Sequence, residues 1–67
     1  MHRDQKDEIC RQFAIAMALL ERGHLVAMKG QSPKLTPGSY RQHALRLSKV
    51  GRELTALGDA IATLTSS

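Results

Sequence analysis

The chain has one cysteine, Cys10, no tryptophan, and only two aromatic residues, Phe13 and Tyr40. A single thiol excludes an intrachain disulfide. Two prolines, Pro33 and Pro37, leave the flanking stretches free of the strongest helix breaker. The longest apolar run, Phe13–Leu20, is eight residues, well short of the roughly 20 that a transmembrane helix needs. The N-terminal stretch does not read as a signal peptide. Asp4, Asp7 and Glu8 sit where a positive region belongs, and Glu21-Arg22 follows the apolar run without a cleavage site. A lone cysteine and no export signal predict a cytoplasmic protein.

At 67 residues the chain is one domain. Chains below roughly 70–80 residues seldom bury a sufficient core alone and turn to disulfides, a metal or oligomerisation. Disulfides are excluded. No His-x-x-x-His or Cys-x-x-Cys spacing offers a metal site, which for zinc takes four ligands. Oligomerisation is the staple that remains.

What is present is aliphatic and periodic. The run Phe13–Leu20, read as helix, is apolar on every side for two turns and must be covered on every side. Around it, Ile9, Phe13, Ala16, Leu20, Gly23 and Ala27 recur at alternating fours and threes, a heptad seam. Helix 1 is predicted over about 4–29. Asp4 is its expected cap, Gly23 an expected close-approach point, and Gly30 its C′ residue. The loop spans about 30–38, where Pro33, Pro37 and Gly38 cluster. Helix 2 is predicted over about 38–64. It has two start signals: Thr36 capping with Pro37 at the first helical position, or Ser39 capping with Gln42 three residues on.

Helix 2 carries two stripes. Tyr40, His43, Leu47, Val50, Leu54, Leu57, Ile61 and Leu64 form the large one. Ala44, Ser48, Gly51, Thr55, Gly58 and Ala62 form a neighbouring stripe in which every member is small. Two adjacent contact stripes let one helix face its hairpin partner and a second subunit together. The fold expected is therefore all-α: an antiparallel two-helix hairpin over 1–67, dimerising into a four-helix bundle. The expected interface takes Phe13, Ile15, Ala16, Met17, Leu19 and Leu20 from helix 1. From helix 2 it takes Leu47, Gly51, Leu54, Gly58 and Ile61.

No constellation carries catalysis. Cys10 has no base placed beside it and reads as a buried, inert thiol. His24 and His43, equidistant from the loop centre, would share a level of the hairpin. His43 at a seam position reads more simply as a bundle-end side chain with one hydrogen bond, and terminal His2 adds nothing. There is no carboxylate pair on an apolar face, no phosphate-cradling loop and no nucleotide motif. No enzyme, cofactor, metal or small-molecule substrate is expected.

Charge is the remaining signal. Over residues 1–28, Arg3, Lys6, Arg11 and Arg22 balance Asp4, Asp7, Glu8 and Glu21. Lys29, Lys34, Arg41, Arg46, Lys49 and Arg52 follow with no acid among them. The balance is +4 for the whole chain. Such a surface suits phosphate backbones. It has no interleaved aromatics for stacking and no helix-turn-helix spacing, so a solvating face outweighs a binding one. The first expectation is a non-enzymatic interaction or regulatory module acting as an obligate homodimer. The alternative is a nucleic-acid-binding accessory protein using Lys34, Arg41, Arg46, Lys49 and Arg52, weakly and without sequence preference. The third is an adaptor that docks on another protein through an apolar helix face.

Overall fold

The computed structural model describes residues 3–66, and His2 lies outside them. Helix α1 (Arg3–Gly30) and helix α2 (Pro37–Thr65) pack against each other as an antiparallel hairpin. There is no strand among the described residues. The boundaries lie within a residue or so of those predicted from periodicity and loop chemistry.

α1 runs unbroken through Gly23. The missing side chain has a use there: a Cβ would stand 3.3 Å from Val50 Cγ1 and 3.9 Å from Leu47 Cδ1. Gly23 is thus the close-approach point between the two helices, which offsets the roughly 1 kcal/mol that glycine costs inside a helix. Two expectations about the ends of α1 are corrected. Asp4 does not cap the helix. It lies inside the first turn, where the helix dipole still favours its charge. Gly30 is not a left-handed C′ residue, since it belongs to the helix and no glycine has positive φ among the described residues. The helix instead tightens as it ends, Gln31 N–H donating to Met28 O at 3.2 Å and Ser32 N–H to Lys29 O at 3.3 Å.

α2 starts at the first of its two candidate caps. Thr36 is extended (φ −72, ψ 158) and its hydroxyl accepts from Ser39 N–H at 3.1 Å, with Pro37 opening the helix. Ser39 is therefore inside the first turn and is not a cap. One turn on, the Tyr40 hydroxyl donates to Ser32 O at 2.6 Å, stapling the loop back onto the start of α2.

The hairpin seam sits one step round α1 from the predicted one. Ile9, Gln12, Ala16, Leu19, Gly23 and Val26 turn towards α2 and are buried or half-buried. Phe13 and Leu20, expected there, are 56% and 55% exposed. The polar Gln12 is tolerated at the seam because its Nε2 donates to Glu8 Oε1 at 2.7 Å. From α2, Val50 and Ile61 are buried, with Leu54, Leu57 and Leu64 half-buried beside them. Among the described residues, Leu19, Val50 and Ile61 are the whole of the buried apolar core, and no side chain is fully enclosed.

The single chain is thin and long. Its Cα atoms span 51 × 15 × 10 Å, with a radius of gyration of 15.7 Å. A compact chain of this length has a radius near 11 Å, to be compared with that value. Accessible surface is 5349 Å². A compact monomer of this mass exposes about 4,200 Å².

Candidate functional site

The two broad faces of the hairpin differ in chemistry, and helical periodicity explains why. On α1, Phe13, Met17, Leu20, His24 and Ala27 continue the alternation of fours and threes just outside the seam. On α2, Ala44, Leu47, Gly51 and Gly58 do the same. The two stripes lie on one side of the hairpin. Leu20, His24 and Ala27 share a surface groove with Leu47, Gly51 and Leu54, floored by Gly23 and Val50. Nearer the loop the groove continues between Ala27 and Gly30 on α1 and Tyr40, Ala44 and Leu47 on α2. Large apolar side chains stand out of this face: Phe13, Leu20 and Leu47 at 45–56% exposure, and Met17 at 60%. Gly51 and Gly58 are open, with nothing within 4 Å of an added Cβ.

The opposite face is charged. Arg22 and Val26 from α1 face Arg46, Lys49 and Glu53 from α2 around a second groove. Arg22 Nη1 lies 3.8 Å from Glu53 Oε2, an exposed pair of little energetic worth. Further along α1, Arg11 pairs with Glu8 at 2.8 Å.

The expected interface residues therefore divide. Leu19 and Ile61 are buried inside the single hairpin, and Ala16 and Leu54 are half-buried along its seam. Phe13, Met17, Leu20, Leu47, Gly51 and Gly58 line the outward apolar face. Ile15, 44% exposed, lies two turns from Arg22 and shares the charged shoulder, because residues seven apart fall on one line of a helix. The expected basic residues divide as well. Arg46 and Lys49 share the charged groove. Arg52 lies on the far arc beside Ser48 and Asp59. Arg41 is exposed on that same arc, and Lys34 stands in the loop. Arg22 was missed in the sequence, because only the hairpin register brings it beside Arg46 and Lys49.

Two readings of single residues are corrected. Cys10 is exposed, not buried. His43 does not gain its expected hydrogen bond through Nδ1, which is buried without a partner among the described residues. His24 and His43 occupy separate stretches of the groove, His24 beside Leu20 and Gly51, His43 beside Gly30 and Tyr40. Among the described residues no group of three or more His, Cys, Asp or Glu side chains is placed to hold a metal ion. No helix among them is long and apolar enough to cross a membrane.

No known protein family, curated protein or solved structure matches the chain.

Proposed function

We propose that this chain is a non-enzymatic interaction module of the cytoplasm that works as an obligate homodimer, two hairpins closing face to face into a four-helix bundle. One observation carries the reading: a continuous apolar face on one side of the hairpin, with Phe13, Met17, Leu20 and Leu47 standing out of it, opposite a charged face. Soluble monomers seldom leave such a patch open. The amount of surface supports it too. The chain exposes 5349 Å², about 1,100 Å² more than a compact monomer of its mass, and a standard interface covers about 800 Å² per partner. Three buried apolar residues among those described are also little core for a free-standing domain.

Sedimentation equilibrium across the micromolar range tests this. The expected result is twice the chain mass, with a melting temperature that rises with concentration. A stable folded monomer at those concentrations rejects the homodimer and moves the apolar face to a different polypeptide, the adaptor reading.

A second reading has its own support. Arg22, Arg46 and Lys49 gather round one groove that holds a single acid, Glu53. This face stays outside a dimer closed through the apolar face. Weak binding to a phosphate backbone is therefore compatible with the first reading.

A further inference from the structure

The apolar face is graded in size, and the two helices are graded in opposite senses. Along α1, side chains on the face shrink towards the loop, from Phe13 through Leu20 to Ala27. Along α2 the large members Tyr40 and Leu47 lie nearer the loop and the glycines Gly51 and Gly58 farther from it, with Ala44 between the first two and Leu54, half-buried at the edge of the groove, between the glycines. Gly23 against Val50 and Gly30 against His43 define the antiparallel register. In that register Phe13 stands at the level of Gly58, Leu20 at that of Gly51 to Leu54, and Ala27 near Leu47.

Building on the homodimer reading, we infer that the two hairpins pair through this face with their loops at the same end of the bundle, each α1 lying over the partner's α2. A two-fold axis along the hairpin preserves level, so residues at one level of one copy meet those at the same level of the other. Phe13 then enters the space over Gly58, Leu20 the space over Gly51, and Leu47 the space over Ala27. Each of these three large side chains meets a small one, as dense packing requires. The open ground above Gly51 and Gly58, where an added Cβ meets nothing, is the room those side chains fill. The other two-fold arrangement, loops at opposite ends, lays α1 on α1 and α2 on α2. It sets Phe13, Met17 and Leu20 against their own stripe and the glycines against glycines. One half of that interface is overfilled and the other hollow.

The second copy is the occupant because it carries the complementary set of large and small side chains at the same levels, and because the surplus surface is of the size a stable dimer covers. Exposed Arg22, Arg46 and Lys49 remain on the outer faces, so closure desolvates none of them.

A spin label on Lys34→Cys in a Cys10→Ser background reads the orientation, with mass checked by sedimentation in the same buffer. Loops at the same end give a label–label distance far below the 51 Å length of the hairpin, about 20–30 Å for helices packed 8–10 Å apart plus two label arms. A dimer with labels about 50 Å apart or more overturns the orientation and leaves the homodimer standing. Monomer mass with no coupling between labels overturns both. A size swap is the second measurement. Gly58→Leu leaves the single hairpin unstrained, since nothing lies near its Cβ. It weakens association about tenfold or more by overfilling the place of Phe13. Adding Phe13→Ala in the same chain recovers most of that loss, because each copy supplies the reduced side chain to the other. No recovery means that Phe13 does not face Gly58, and the orientation falls.

Discussion

Leu20→Ala, set beside Ile15→Ala, separates the apolar face from the rest of the exposed hydrophobic surface. Leu20 is 55% exposed and Ile15 44% exposed in the single hairpin, so accessibility alone ranks them together. They differ in position: Leu20 lines the apolar groove, whereas Ile15, seven residues before Arg22, falls on the same line of α1 as that arginine. Fully burying a leucine is worth about 1.5–3 kcal/mol, so covering its exposed half on association is worth about 0.8–1.5 kcal/mol per copy. Two-fold symmetry counts the residue twice. The loss is then about 1.5–3 kcal/mol, or about 10- to 150-fold in the dimer Kd. The cavity left by alanine adds to it. Ile15→Ala removes a side chain that stays in water and replaces a β-branched residue with a better helix former. Its Kd is expected to be unchanged. Sedimentation equilibrium on both variants, with helix content followed by circular dichroism, measures the difference. Equal effects at the two positions, or no effect at Leu20, would refute the assignment of the interface to this face.

Two further outcomes are expected. His43→Leu should raise the melting temperature, because it removes a buried Nδ1 whose unmet hydrogen bond costs about 1–3 kcal/mol and puts apolar volume in its place. A lower melting temperature would mean that this nitrogen has a partner. Oligonucleotides titrated at low and moderate salt should bind weakly, without sequence preference, and lose affinity when Arg46 and Lys49 become glutamate. No binding at low salt removes the nucleic-acid reading, and salt-resistant, sequence-selective binding would show a recognition surface beyond these cations.

The hairpin was legible in the sequence because its signals are local. Pro33, Pro37 and Gly38 leave one place for a loop, and Thr36 with Pro37 was one of two start signals for α2, the one the fold uses. At Gly23 the sequence allowed either a stop or a continuous helix, and the apolar residues beyond it favoured the continuity that α1 shows. The seam was harder. Gln12 and Leu19 stand only about 100° from Phe13 and Leu20, and both directions carry apolar residues. Periodicity shows that two stripes exist, but not which of them an intramolecular neighbour takes. A polar residue, Gln12, argued against the direction that the fold chose. Its bond to Glu8 resolves the conflict, and that bond is visible only once side chains are placed. The candidate site shows the same division. The small stripe Gly51–Gly58 could be read directly. Its alignment with Phe13 and Leu20 depends on a register set by contacts between residues far apart in the chain, such as Gly23 with Val50.

The ties that hold the turn have a consequence for how the protein assembles in time. The Thr36–Ser39 and Tyr40–Ser32 bonds join residues three and eight apart, so the chain can reverse direction before any distant contact forms. Loops of about ten residues close in about 10–100 ns. Among the described residues the reversed chain still buries only Leu19, Val50 and Ile61, and it gains little from closing alone. In the proposed homodimer, the slow event would then be an encounter between two pre-bent chains. Refolding after dilution from denaturant would be a bimolecular process, paced by protein concentration rather than by chain topology. The turn sets the register of each half in advance, so that a collision has little left to search.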